Sequence, residues 1–261
     1  MRLLFIRHGD PDYEIDGLTQ KGKTEARLLA ESIDRLGIDE VYVSPLGRAG
    51  ETLDYSLKEL GMEAKTLEWL QEFPAVFDGN LAKEETRSAF KNELKKNEDT
   101  GLYEKRIAWD MMPSYYGVHP ELFDVNGWRS SDIAKASNTV EVYDHIVKCF
   151  DEFLDKNGYR RNKNLYEATA GNEKTVAFFC HFGVTCVILS HLWNISPFVL
   201  LQYLAMAPTS VTELVTEERE KGIAIFRALQ IGDITHLTLG KEKPSFAARF
   251  CERFENMDQR H

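Results

Sequence analysis

Cysteine is scarce in this chain: four residues in 261, Cys149, Cys180, Cys186 and Cys251, with no CxxC spacing. Such a set does not read as a disulfide framework, and two of the four lie inside strongly apolar segments, so buried free thiols in a reducing compartment are expected. Long hydrophobic runs are missing as well. No segment is long and apolar enough to span a bilayer, and the N-terminal apolar run is too short for a signal peptide core and lacks a small-residue cleavage site. A cytoplasmic protein without a membrane partner is the expectation. Positive charge is in deficit, with Lys+Arg 32 against Asp+Glu 42 and a net charge of −10. That balance argues against a nucleic-acid or anionic-membrane surface, which needs a basic face. It leaves room for a small anionic substrate, because a pocket's field depends on local arginines. Internal repeats, low-complexity tracts, a Walker lysine loop, GxGxxG and HExxH are all absent, so neither nucleotide cradling in those forms nor a metal site has support, and no cofactor is expected.

What is present begins with a contradiction. The apolar run Leu3-Leu4-Phe5-Ile6 reads as a buried strand, yet it stops at Arg7-His8-Gly9. Beyond it, Thr19 can cap a helix with apolar positions Ala26, Leu29, Ala30, Ile33 and Leu36, ending near Gly37. "VYVS" (41–44) reads as a second strand, Ser44-Pro45 as a helix cap with a first-turn proline, and Leu46, Ala49, Leu53, Leu57 and Leu60 as the next apolar stripe before Gly61. "AKTLEWL" suggests a third strand. This alternation implies parallel strands joined by right-handed crossovers. From about 75 to 165 the chain is charged, aromatic-rich and irregular, and its lysine-rich "KNELKKNEDTGLYEKR" suggests a solvated helix or connector. A helix near 138–156 returns the chain to the core, "TVAFFCH" (175–181) resumes the buried-strand pattern, and "GVTCVILSHLW" reads as an apolar helix. "TSVTELVTEE" and "IAIFRALQIG" alternate like late antiparallel strands. The expected architecture is an α/β fold, a three-layer α/β/α sandwich with a mainly parallel sheet. It is a single domain with core 1–73 and 166–261 and a cap-like insertion over 74–165.

Ligands of open parallel sheets bind beyond the carboxyl ends of the strands. His8 and His181 hold equivalent places there, Arg48 lies in the first turn after the second strand, and Glu72 follows the third. Guanidinium forks suit a tetrahedral oxyanion, and a neutral imidazole can attack phosphorus. A carboxylic acid can protonate the departing oxygen and then, ionised, take a proton from water. The set suits phosphoryl transfer through a phosphohistidine without metal.

"FIRHGDPDY…GLTQKGKTEA" and "VSPLGRAGETL" resemble the defining segments of the histidine phosphatase superfamily, the phosphoglycerate mutase-like RHG-motif branch. "WLQEF" is similar to its acid-bearing segment and "VAFFCHFGV" to that of its second histidine, with weaker echoes in "APTSVTEL" and "IGDITHL". The resemblance implies that His8 is the phosphorylated nucleophile, that Arg7, Arg48 and His181 hold the phosphoryl oxygens, and that Glu72 is proton donor and later base. Gly9 is expected to let the backbone approach the phosphate. Two departures stand out. The loop after RHG is short and lacks the Trp-Asn pair common in the family, a contact for which Tyr13 is the available replacement, and Phe182 stands where a glycine usually follows the second histidine, leaving its backbone amide to bind substrate. The implied activity is phosphomonoester hydrolysis of a small phosphorylated substrate. Two alternatives stand beside it: a phosphoglycerate mutase-type phosphotransferase, and an inactive module that binds phosphorylated ligands. The short loop and the mixed charge of the insertion do not resemble a mutase lid. The remaining histidines, 119, 145, 191, 236 and 261, are read as structural or terminal. Trp109, Tyr115, Tyr116, His119, Trp128 and Arg129 are expected to form either a small secondary core or a substrate lid. Substrate identity and oligomeric state have no signature in the sequence.

Overall fold

The computed structural model describes residues 1–90, 94–246 and 252–259; Cys251 and His261 lie outside them. Its main sheet has eight strands: β1 (Arg2–Arg7), β2 (Glu40–Val43), β3 (Ala64–Thr66), β4 (Tyr159–Asn162), β5 (Leu165–Ala168), β6 (Thr175–Cys180), β7 (Val211–Glu220) and β8 (Ile223–Asp233). They are ordered β3-β2-β6-β1-β7-β8-β5-β4. The four strands from β3 to β1 run parallel, and β7, β8, β5 and β4 extend the sheet antiparallel. Register fixes the level of the strand ends. Arg7 of β1 lies beside Cys180 of β6, so the next residues, His8 and His181, leave two neighbouring parallel strands side by side.

The parallel strands are covered on both faces, which is why they read as continuous apolar runs rather than alternating ones. Leu4 and Ile6, with Ala177, Phe179, Val41 and Val43, pack against Leu29 of α1 (Gln20–Ala30) and Ala49 and Leu53 of α2 (Gly47–Leu60). On the opposite face Phe178 stacks on Phe5 and Tyr42, and Phe153 meets both Tyr42 and Phe178 edge-on, with centroids 5.1 and 5.2 Å apart. Phe153 belongs to the last turns of α3 (Thr139–Lys156), so helices flank the sheet on both sides.

Local signals explain most boundaries. The Thr19 hydroxyl accepts from the Gly22 N–H at 3.0 Å and caps α1, a bond typically worth about 1 kcal/mol. α1 ends at Ala30 rather than near Gly37; a separate 3₁₀ turn, Ile33–Leu36, carries the chain to Gly37, whose φ of 58° a residue without a Cβ adopts at no steric cost. The third strand is shorter than "AKTLEWL" implies, because Glu68–Leu70 form a 3₁₀ turn, so Glu72 follows that turn and not the strand itself.

The residues group into two compact units: Met1–Glu72, Glu152–Thr185 and Ala205–His261 in the first, Phe73–Asp151 and Cys186–Leu204 in the second. This corrects the expected insertion at its far end. Residues 159–168 pair into the main sheet, and 186–204, most of α4 (Phe182–Trp193) and all of α5 (Pro197–Tyr203), group with the second unit. That unit has its own aromatic core. Trp128 is buried against Tyr143 and Phe198, Phe77 lies 4.6 Å from Phe90, and Trp109 and Tyr115 are buried. Residues 94–105 of the lysine-rich stretch form no helix; 91–93 lie outside the described residues. Among the described residues no helix is long and apolar enough to cross a membrane, and Cys149, Cys180 and Cys186 are free thiols.

Candidate active site

All five side chains singled out from the sequence belong to the first unit, and four of them are buried at one strand-end rim: Arg7, His8, Arg48 and His181. Backbone bonds define the rim. The His8 N–H donates to the Cys180 carbonyl at 3.0 Å, the Ser44 N–H to the Phe179 carbonyl at 2.9 Å, and the Arg7 N–H to the Ser210 carbonyl at 3.1 Å. The two imidazole rings lie 5.0 Å apart.

The protonation pattern of His8 follows from its partner. Its Nδ1 lies 2.7 Å from the Gly9 carbonyl oxygen, which can only accept, so Nδ1 carries the proton. In the neutral ring Nε2 then exposes a lone pair, faced at 3.4 Å by the Nε–H of Arg48. Burial, reinforced by the Arg7 charge and by His181, holds the His8 pKa well below the ordinary histidine value. Burial does the same to His181, with Arg48 and then Arg7 adding to it, and takes its pKa down to about 2. Both rings are neutral at physiological pH.

Ser44 does not cap α2, whose cap position is Leu46 with no side-chain bond. Its hydroxyl lies 2.7 Å from His181 Nε2 and accepts from the Leu46 N–H at 3.2 Å. With one donor already on it, the hydroxyl can turn its own hydrogen to Nε2, which leaves the proton of neutral His181 on Nδ1. That buried Nδ1 has no partner among the described residues.

Besides facing His8, Arg48 meets Asp16 and Tyr13. Its Nη1 donates to Asp16 Oδ1 at 2.5 Å, while the other Asp16 oxygen accepts from the Gly47 N–H at 2.7 Å. Its guanidinium lies 5.4 Å from the Tyr13 ring. Tyr13 thus touches the site through Arg48. The Asp16 clamp was not anticipated from sequence, since an aspartate in a polar loop carries no signal of its own. Arg7 donates from Nη1 to the Met206 carbonyl at 2.5 Å; burial lowers its pKa and the Glu72 charge opposes that. Glu72 Oε1 accepts from the Val184 N–H at 3.2 Å, in the first turn of α4, a favourable place for a carboxylate. Phe182, the buried first residue of that helix, directly follows His181. Cys180 packs away in the sheet, its thiol pushed up to about 12, chiefly by burial.

Gly9 has a packing reason that was not anticipated. Its N–H donates to Thr52 Oγ1 at 2.9 Å, and a Cβ there would stand 2.8 Å from the Gly22 carbonyl oxygen. The glycine lets the loop lie against the start of α1. Of the histidines read as structural, His191 bonds the Asp151 carboxylate and His119 pairs with Glu121. His236, in contrast, is buried against Thr209 at 2.8 Å.

Residues 3–107 match the family model of the histidine phosphatase superfamily, branch 1. No curated protein matches the chain by sequence. Among solved structures, a mycobacterial glucosyl-3-phosphoglycerate phosphatase complexed with inorganic phosphate superposes with a TM-score of 0.57 at 16% identity, covering 90% of this chain and 98% of its own. A phosphoserine phosphatase mutant from Entamoeba histolytica, complexed with phosphoserine, gives 0.53 at 15% identity, covering 90% and 98%. A mycobacterial hydrolase gives 0.55 at 17%, covering 93% and 97%. At such identities the likeness is one of fold. The family match thus spans residues 3–107, and the chain as a whole is built on the α/β fold of the solved phosphatases it resembles.

Proposed function

We propose that the protein hydrolyses phosphomonoesters of small molecules through a covalent phosphohistidine at His8. The observation that carries this reading is the fixed tautomer of His8, whose Nδ1–H is bound to the Gly9 carbonyl and whose Nε2 lone pair is turned to the Arg48 guanidinium. A substrate phosphoryl group held there meets a nucleophile that needs no base. Nε2 attacks phosphorus, the P–O ester bond breaks, and Glu72 in its acid form gives its proton to the departing oxygen. Arg7, Arg48 and the Nδ1–H of His181 bind the three peripheral oxygens, with charge-assisted bonds from the two guanidiniums. In the second step the Glu72 carboxylate takes a proton from water, the hydroxide attacks phosphorus, the N–P bond breaks with its electron pair returning to Nε2, and inorganic phosphate leaves. The backbone amide of Phe182 is assigned to the same oxygens. No step calls on a metal.

The neighbouring folds include enzymes named for phosphoserine and glucosyl-3-phosphoglycerate, which supports a small phosphorylated metabolite as the substrate class. The test compares wild type and His8→Ala on p-nitrophenyl phosphate carrying ³²P, quenched in alkaline detergent to trap labelled protein and then exposed to acid. Wild type releases phosphate and retains acid-labile label, and His8→Ala does neither; wild-type turnover by His8→Ala would refute the reading.

A further inference from the structure

Behind the nucleophile lies a residue pair that the chemistry above does not use. Thr209 is a β-branched residue at φ 59°, in the left-handed region that strains such a side chain. It is fully buried. Its hydroxyl donates to the Pro208 carbonyl at 2.7 Å, which commits its only hydrogen. The 2.8 Å contact to His236 Nε2 therefore has the imidazole donating. Burial pushes the His236 pKa down to about 4, against the opposing charge of Asp233, so the ring is neutral and its one proton is on Nε2.

The turn held in this way grips the start of the site. The Thr209 N–H donates to the carbonyl of His8 itself at 3.1 Å, and the adjacent Ser210 carbonyl accepts from the Arg7 N–H. The Met206 carbonyl at the head of the same turn holds the Arg7 guanidinium. A Thr209 left without its hydroxyl partner has every reason to relax toward negative φ, and that relaxation moves the N–H away from the His8 carbonyl. We propose that Thr209 and His236 are positioning residues for the nucleophile: the imidazole holds the hydroxyl, the hydroxyl holds the strained turn, and the turn fixes the backbone of Arg7 and His8. This rests on the assignment of His8 made above.

The experiment uses His236→Leu, which removes the donor, His236→Gln, whose amide can donate from a similar reach, and the pair Thr209→Ala and Thr209→Ser. Each is assayed for kcat on p-nitrophenyl phosphate and for inhibition by inorganic phosphate, with His8→Ala alongside. His236→Leu and Thr209→Ala should lower kcat roughly 10- to 100-fold, the size of effect expected from slight misplacement of a reacting atom. The phosphate inhibition constant should change much less than kcat, since Arg48 and His181, which the turn does not hold, still face the anion, and His236→Gln and Thr209→Ser should recover most of the rate. If His236→Leu does not fold, the Thr209 pair decides alone. Wild-type kcat in the donor-less variants, or kcat and phosphate affinity falling together with the folded fraction, overturns the proposal. Should His8→Ala turn over normally, the function reading fails and the positioning role with it; an inactive His8→Ala beside fully active His236→Leu and Thr209→Ala sinks the positioning role alone.

Discussion

Acid should destabilise this protein before its carboxylates titrate, because buried imidazoles are held neutral. An imidazole in the unfolded chain titrates near 6.5, whereas His236 is pushed to about 4 and His181 to about 2, both first by burial. The folded pKa is below the unfolded one, so the stability difference is nil above pH 6.5 and grows against the fold as pH drops. Between pH 7.5 and pH 5 the unfolded chain takes up protons that the folded chain refuses, and each of these two groups favours unfolding by about 2 kcal/mol. His8 acts in the same direction. Against a typical stability of about 5–15 kcal/mol, the loss is large. The measurement is urea unfolding of wild type and His236→Gln at both pH values, in buffers without phosphate, which would raise imidazole pKa values from between the arginines. Carboxylates common to both proteins cancel in the comparison. Wild type should lose about 2 kcal/mol more than His236→Gln across that interval. Equal losses would mean that His236 is protonated in the folded protein, and the reasoning from its burial would be refuted.

Three further outcomes follow from the site's geometry. Arg48→Lys keeps the charge but loses both the Nε–H that faces His8 and the fork held by Asp16, so kcat/KM for p-nitrophenyl phosphate should drop roughly 10- to 100-fold. Ser44→Ala removes the hydrogen bond to His181 Nε2; ¹⁵N NMR should show the His181 proton no longer fixed on Nδ1, with kcat/KM reduced about tenfold, and an unchanged tautomer would count against the role given to Ser44. Gly22→Ala would drive a Cβ into the Asp10 backbone, an overpacking that costs about 1–3 kcal/mol. A thermal melt should register a clear drop in Tm, and an unchanged melt would mean that the loop after His8 yields freely.

Legibility in the sequence followed the range of each cause. The strand ends were readable because an apolar run that stops at a charge is a local event, as at Ile6-Arg7-His8 and Cys180-His181, and their adjacency followed from the parallel topology. The Thr19 cap and the Gly61 helix stop were readable for the same reason. Ser44 misled because a serine before a proline looks the same whether its hydroxyl caps a helix or holds an imidazole 137 positions away. Asp16 and Gly9 carry reasons that exist only once the loop has folded back, one onto Arg48 and the other onto Gly22. The Thr209–His236 pair is separated by the whole β7–β8 hairpin. Residues 186–204 looked like part of the core because α4 is apolar all round, which hides the position at which it passes from one unit to the other.

A single electrostatic arrangement serves both halves of the proposed chemistry. Two buried guanidiniums beside two imidazoles would be an unfavourable set if all four carried charge, and burial settles it by keeping the rings neutral. Neutrality is what a nitrogen nucleophile requires, so His8 needs no separate base to strip it of a proton, unlike a serine or threonine hydroxyl. The same cations reduce the donating power of His8, and that loss is tolerable only with a reaction partner whose own negative charge offsets them. A phosphoryl group provides such charge, growing on its peripheral oxygens as the N–P bond forms, so the field that restrains the imidazole in isolation favours the transition state. A neutral electrophile such as a carboxylic ester in its ground state brings no such compensation. Under the proposed function the arrangement would select for tetrahedral anions through the reaction coordinate itself, while the leaving group, assigned to Glu72 rather than to the arginines, would be chosen by other contacts.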